Sequence, residues 1–433
     1  MSRTIHYHHP RIAELTRSDY TADDLSKIET LLIESKTFSF PRLGNGLFPA
    51  ALALQPELGY TGYQNVWLRD NMHIANAHYE IGKLDIVIEN LEAFVKFYEK
   101  YSQRFDDCIS GKVDVDVPQN RPHIRFDGTA LAELPEKWAH AQNDALGFLL
   151  WMLARMVHEG KMEPSANLLY VAGKIVLYLK AIKYWQDQDS GHWEEARKIE
   201  ASSVGVVLAG MKLWLKVIET IGESKGLQRD VLTEMVNKGQ SALDEILPSE
   251  CIQDDDTIRR RYDSALLFLI YPFEVVDETM ARQIVSDVTS NLMGDYGIKR
   301  YLGDSYWCAD YKDKLSPERR TTEFVDDMLT RDMLWREGEE AQWCIFDSII
   351  STIYGRWYLQ TKDPADKAHQ LYHFHRSLSQ LTSPECPWGE MMGPESYFLE
   401  HGKFIPNDIT PLLWTHGNLR IALEQMKRTA TAT

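Results

Sequence analysis

Residues 189–200 read DSGHWEEARKIE, with Trp193 directly before Glu194 and Glu195 in a segment opened by Asp, Ser and Gly. A carboxyl packed against an indole loses water, which disfavours its charged form and raises its pKa, so it can deliver a proton to a leaving oxygen near neutral pH. Glu195, one residue on, faces another way and can accept hydrogen bonds from a ligand's hydroxyls. The plainer alternative is a charged helix start or an exposed turn. A second constellation, YQNVWLRDN at 63–71, begins at Tyr63 and sets Arg69 and Asp70 side by side behind Trp67. A guanidinium fork next to a carboxylate suits vicinal hydroxyls, although a helix cap with a structural ion pair uses the same residue types. The third is MMGPESYFLEHG at 391–402, followed by TPLLWTHG at 410–417. An ionised Glu395 aimed at a water would complete, with Glu194, the acid and base that cleave a glycosidic bond. Glu390 and Glu400 carry the same chemistry in the same loop, and spacing does not choose among the three.

Aromatic side chains gather near these motifs. Trp138, Trp193, Trp307, Trp343 and Trp414 stand at loop and helix junctions, where flat faces can stack on a ligand or simply fill a core. His140, His192 and His416 lie beside the motifs, but no pair has the spacing of HExxH or a similar ligand set, so no metal site is expected. GxGxxG, GxxxxGK[ST], GxSxG and the kinase signatures are all missing. The usual support for a bound nucleotide or a serine nucleophile is therefore lacking, and no cofactor is expected.

The charge balance narrows the partners. Sixty-four acidic against 47 basic residues give a formal charge of -17, which repels nucleic acid and anionic lipid but leaves a neutral carbohydrate untouched. Five scattered cysteines contain no CxxC pair, which argues against a disulfide framework and for a reducing compartment. The start MSRTIHYHHP has no apolar core, and LGFLLWMLARMV at 146–157 is too short to span a bilayer. A cytoplasmic protein with no membrane partner is the expectation.

These motifs need a scaffold, and helical periodicity supplies it. In 84–101, Leu84, Val87, Leu91, Phe94, Val95, Tyr98 and Tyr101 recur at helical spacing. Similar patterns predict helices near 23–36, 69–82, 142–158, 165–185, 203–221, 228–247, 262–272, 277–293, 321–336, 340–361, 364–380 and 411–427, with few strands. The loops at 40–50, 108–128, 186–197, 294–307 and 386–407 hold Trp193, Glu194, Glu195, Arg300, Trp307 and Glu395. A helical scaffold whose connections meet at one end fits that distribution. No linker divides the 433 residues, which predicts one domain over 1–433 with 1–22 as a peripheral segment.

Taken in order, VWLRDN, QNDALGFLLWMLARM, GHWEEARKIEASSVGVVLAGMK, GIKRYLGDSYW, EEAQWCIFDSIIS and GPESYF…TPLLWTHGNLRIAL resemble glycoside hydrolase family 15. That family includes glucoamylases and the related amino-terminal domain of phosphorylase kinase alpha and beta subunits. GLFPA…YQNVWLRDN and EASSVGVVLAGMK look closest to the kinase branch, and WEE to the glucoamylases. The resemblance covers about 40–425 and implies an all-α (α/α)6 barrel with its site among the loops at one end. It implies an inverting exo-acting α-glucosidase that releases β-glucose from α-glucans or α-gluco-oligosaccharides, or alternatively a glucan-binding regulatory protein. By the same resemblance Glu194 matches the general acid and Glu195 a neighbouring substrate-binding carboxylate. Arg69 and Asp70 match the pair that holds the terminal glucose, with Tyr63 close to it. Trp138 matches a flanking tryptophan, Arg300 an arginine that contacts the sugar, and Trp343 a further aromatic of the pocket. Glu395 matches the catalytic base, and Thr415 stands where many relatives have a serine. The EQYD-type continuation after the base is not present here. The chain ends at Thr433 without the regulatory portion of a kinase subunit, so calmodulin is not an expected partner, and it carries no starch-binding module.

Overall fold

The computed structural model describes residues 3–52, 56–256, 258–322, 324 and 327–432. In chain order its long helices are α1 (Ala22–Glu34), α2 (Leu68–Glu80), α3 (Leu84–Lys100), α4 (Asn143–His158), α5 (Ala166–Ala181), α6 (Ala201–Ile221) and α7 (Arg229–Ile246). A short 3-10 segment, Ser264–Leu269, follows, and then α8 (Glu278–Asn291), α9 (Phe346–Thr361), α10 (Pro364–Ser379) and α11 (Leu413–Thr431). Helices α2, α4, α6, α9 and α11 and the 3-10 segment form an inner ring. Around it α2 touches α4, α4 touches α6, α6 meets the 3-10 segment, that segment meets α9, and α9 and α11 lead back to α2. Each inner element also packs against one outer helix: α3, α5, α7, α8, α10 and α1 in turn. The result is the expected (α/α)6 barrel.

Inner helices are buried nearly all round, and even the polar α2 buries 68–78 without a break. Helix α4, NDALGFLLWMLARMVH, is apolar nearly all round and buries 143–154 without interruption, as an inner helix must. Helix α3 buries only the stripe of Val87, Leu91, Phe94, Val95 and Tyr98 with their immediate neighbours. At the tightest inner crossing a Cβ on Gly147 would lie 2.8 Å from the Val207 nitrogen, so a glycine there lets α4 and α6 approach. The inner ring also shares a polarity. Asp70, Asp144 and Asp347 sit in first turns, Glu200 precedes α6, and Asp263 caps the 3-10 segment. Helix amino termini attract negative charge, so one end of the barrel collects buried carboxylates.

Two small antiparallel sheets lie in the connections that lead into inner helices. The first has the order β1 (Val66–Trp67), β2 (Arg125–Asp127), β3 (Ala132–Glu133), and the second β4 (Gln342–Trp343), β5 (Ser396–Glu400), β6 (Lys403–Pro406). The stretch 386–407 is expected to be a loop. It contains the β5–β6 hairpin instead, turned at His401 and Gly402, which both have positive φ, with Glu400 opposite Lys403. Alternating large residues in SYFLE and KFIP carry the strand signal. Of the helix expected at 321–336, residues 323, 325 and 326 lie outside the described residues, and within the described part the helix is Met328–Asp332, with Leu329 and Met333 78% exposed. The helix expected at 340–361 starts only at Phe346, after β4, and the one at 262–272 is the 3-10 segment. In the amino-terminal stretch Ile12 and Tyr20 are buried against Leu25, Ile28 and Phe374. No helix among the described residues is long and apolar enough to cross a membrane.

Candidate active site

At the carboxylate-rich end of the barrel a cavity of about 680 Å³ is lined by residues from all three sequence motifs, among them Tyr63, Trp67, Arg69, Asp70, Trp193, Glu194 and Glu395. Pairing of Trp67 with Arg125 fixes the entry into α2, whose first turn carries Arg69 and Asp70. Arg69 Nη1 donates to Gln142 Oε1 at 2.8 Å, to Asp144 Oδ2 at 3.3 Å and to the Gly191 carbonyl at 3.4 Å, while Nη2 reaches Glu194 Oε1 at 3.2 Å. No side chain among the described residues donates to the Asp70 carboxyl. Burial pushes it up to about 7 against the pull of Arg69, with the Glu194 charge adding to the rise. A buried carboxyl left open on a cavity wall is suited to a ligand's hydroxyls.

Glu194 follows the 3-10 turn Gly191–Trp193 in a loop closed by bridging of Asp189 with Lys198. Its backbone is left-handed, with φ 58°. The indole bonded to its carboxyl is not that of Trp193 but that of Trp67, whose N–H donates to Oε1 at 2.9 Å. Trp193 turns its own N–H to Asp263, at 2.9 and 3.1 Å, and offers its ring to the cavity beside Trp343. Both donors to Glu194 use Oε1, so Oε2 has no protein donor among the described residues. Gly191 is required in this turn: its φ is +51°, and an added Cβ would lie 1.6 Å from Glu200 Oε2. Gly191→Ala is therefore expected to cost roughly 2–4 kcal/mol of stability and to move the Glu194 loop, which thermal unfolding and kcat on one preparation would register together.

Glu195 stands behind the wall and is not among the lining residues. Its Oε1 accepts from Tyr301 at 2.7 Å, Arg331 at 2.7 Å and Arg300 at 3.0 Å, and its Oε2 from Arg260 at 3.2 Å. Burial alone would raise it, but Arg331, Arg300 and Arg260 outweigh that and hold it well below the usual carboxylate range. Expected to hold sugar directly, Glu195 instead fixes two arginines that do line the cavity. Arg300 gives Nε and Nη2 to Asp304 at 2.7 and 2.6 Å. The bridge between Ile298 and Trp343 sets Arg300 and the Trp343 ring on one wall.

Glu395 lies just before β5, with its amide on the Ile409 carbonyl at 3.0 Å and its carbonyl accepting from Cys344 at 2.9 Å. Tyr63 donates to its Oε1 at 3.0 Å and Asn407 Nδ2 to its Oε2 at 2.6 Å. No Lys or Arg among the described residues stands within ion-pair distance of it. Burial pushes it up to about 7 despite those two bonds and the field of Arg300. The competing Glu390 is exposed and faces His9, and Glu400 lies on β5 opposite Lys403, so of the three only Glu395 lines the cavity. Thr415 also stands behind the wall. Its hydroxyl donates to the Pro394 carbonyl at 2.9 Å and fastens the turn that carries Glu395.

Trp138 and Trp414 line the cavity, whereas Trp307 is wholly buried and its neighbour Tyr306 takes the wall position, 3.4 Å from the Tyr63 hydroxyl. Sequence reasoning missed Tyr306, Arg331, Asn407 and Phe324. Tyr306 and Asn407 lie inside segments already singled out, but nothing in 321–336 marked Arg331 and Phe324. His192, also on the wall, is held by burial near 4 and is neutral at pH 7.

An (α/α)6 barrel with a carboxyl-lined cavity at the amino-terminal end of its inner helices is the architecture of a glycosidase-like protein. The family model for Glycosyl hydrolases family 15 matches residues 31–348, and the chain belongs to that family. Its span contains Arg69, Asp70, Glu194 and Arg300 but ends before Glu395. Among curated relatives, the chain is 27% identical over 276 residues to a probable phosphorylase b kinase regulatory subunit alpha of Caenorhabditis elegans, covering 56% of this chain and 21% of that one. It is 24% identical over 375 residues to the liver isoform of that subunit in Takifugu rubripes, covering 76% and 28%. The chain thus spans less than a third of those relatives' length. A glycosidase variant solved in complex with glucose is similar in structure, with a TM-score of 0.65, 16% identity and coverage of 96% and 98%. The glucoamylase of Saccharomycopsis fibuligera gives 0.62, 12%, 100% and 99%.

Proposed function

We propose that the protein is an inverting, exo-acting α-glucosidase that removes glucose from the non-reducing end of an α-glucan or α-gluco-oligosaccharide. The observation that carries this reading is that Glu194 and Glu395, from separate loops, line one cavity with Arg69 and Asp70, and that the Oε2 of Glu194 has no protein donor among the described residues. Glu194, through its open Oε2, protonates the glycosidic oxygen. Glu395 takes a proton from a water that attacks the anomeric carbon from the opposite face. Arg69 and Asp70 hold the terminal ring, and Trp138, Trp193 and Trp343 supply its apolar walls. Acid, base and water suffice for this hydrolysis, so no cofactor enters. Five free cysteines, four of them buried, support a cytoplasmic location.

Incubation with maltose, isomaltose, trehalose and glycogen tests the proposal. Release of glucose from at least one supports it, and the absence of release from all of them overturns it. The names of the curated relatives favour a second reading, a regulatory protein that binds glucan without cutting it. Sugar affinity with no turnover would support that reading.

The pH dependence follows from Glu395. A base must be ionised, so with its pKa pushed up to about 7, the acid limb of kcat/KM should rise as pH increases through 7. Asp70, also near 7, titrates in the same window, and the limb belongs to both groups. Tyr63→Phe removes a bond that favours the charged Glu395 and should move the limb to higher pH. A kcat/KM profile of parent and variant from pH 5 to 9 reads both effects.

A further inference from the structure

Arg331 comes from a part of the chain that no motif marks. It is carried by the helical turn Met328–Asp332, whose other side shows Leu329 and Met333 to solvent. Its own side chain is only 4% exposed and lines the cavity. Nε donates to Ser305 Oγ at 3.0 Å, and Nη2 donates to Glu195 Oε1 at 2.7 Å and to the Tyr301 hydroxyl at 3.4 Å. Nη1 has no protein acceptor among the described residues. A buried guanidinium with two nitrogens locked by protein and a third left open on a cavity is a preset donor for a ligand oxygen.

Its place on the wall says which part of the ligand it meets. Arg69 and Asp70 rise from the first turn of an inner helix, whereas Arg331, equally buried, lines the cavity together with Thr322, whose exposure marks the open side. In a cavity that takes the end of a chain first, the terminal ring lies on the helix side and the next ring towards the rim. We propose that Arg331 is the specificity-determining residue for the leaving-group sugar, its Nη1 donating to a hydroxyl oxygen of the second ring. Glu195 and Ser305 orient it. This inference rests on the glucosidase reading, since it assumes that a second ring is present in the cavity.

The test measures affinity for glucose and for maltose, isomaltose and trehalose by calorimetry in a Glu395→Gln background, with Arg331 intact and as Arg331→Lys. Lysine keeps a positive charge for Glu195 but cannot hold Ser305, Glu195 and the ligand at once. Arg331→Met serves as a second variant, and circular dichroism establishes that both fold. The expected result is that the disaccharide bound most tightly is weakened at least tenfold more than glucose, the scale of one hydrogen bond to a charged donor. Equal weakening of glucose and disaccharide, no weakening of either, or a parent that binds no disaccharide more tightly than glucose would each overturn the assignment. Failure of the glucosidase reading is seen separately, as lack of turnover by the protein with Glu395 intact.

Discussion

Glu395→Gln is expected to lower kcat by about 10²–10⁴-fold, the contribution of a positioned general base, while sugar affinity changes little. Glutamine keeps the volume of the side chain and can still accept from Tyr63 or Asn407, so the cavity wall stays in place. What it cannot do is take a proton from water. A small anionic nucleophile such as azide, which needs no deprotonation, should recover part of the lost rate and leave as a β-glucosyl product, because it attacks from the face where Glu395 stands. Glu390→Gln and Glu400→Gln, on side chains outside the cavity, should leave turnover at the parental level. A loss of turnover in either of those variants instead would move the base elsewhere in the hairpin.

The largest expected effect on stability is at Asp347. This carboxylate lies in the first turn of α9, fully buried, and accepts from His373 Nδ1 at 2.7 Å, Arg376 Nε at 2.8 Å and Gln380 Nε2 at 2.7 Å. Arg376 in turn donates Nη2 to the carbonyls of Gly294 and Gly297, tying α10 to the loop that leads towards Arg300. Asp347→Ala would leave the buried guanidinium without its counter-charge, which costs about 3–5 kcal/mol. Urea unfolding midpoints and slopes of parent and variant give the number. Burial alone would raise Asp347, but Arg376 and His373 overcome it and bring the carboxyl down to about 2. A folded pKa below the unfolded one means that the stabilisation is present above about pH 4 and is lost as pH falls towards 2. Asp347→Asn should therefore flatten the acid side of the stability profile between those values.

The barrel was legible in the helical spacing and in helices such as 143–158, apolar on nearly every side and so bound to be inside, whereas the polar α2 gives no such sign of its inner place. Residue type pointed to Arg69, Asp70 and Glu194, polar groups placed next to aromatic residues and turns, while only the family resemblance chose Glu395 over Glu390 and Glu400. Direction was harder to read. Trp193 was expected to desolvate Glu194, yet Asp263, seventy positions away, takes its N–H, and Trp67 supplies the bond instead. Glu195 was read as facing the ligand because nothing in WEE shows that three arginines from 260, 300 and 331 converge behind it. Trp307 and Tyr306 exchanged roles through one residue of phase in an irregular loop. Within the described part of 321–336 only Met328–Asp332 is helical, and Leu329 and Met333 are exposed there, because helical spacing has meaning only where something covers the apolar side.

Acid and base acting from opposite faces invert the anomeric carbon, and the first product records that event before mutarotation blurs it. Proton NMR of the disaccharide cleaved fastest, read at the earliest times, should show the β-glucose signal alone growing in. Growth of α-glucose first would contradict a direct attack by water from the Glu395 side.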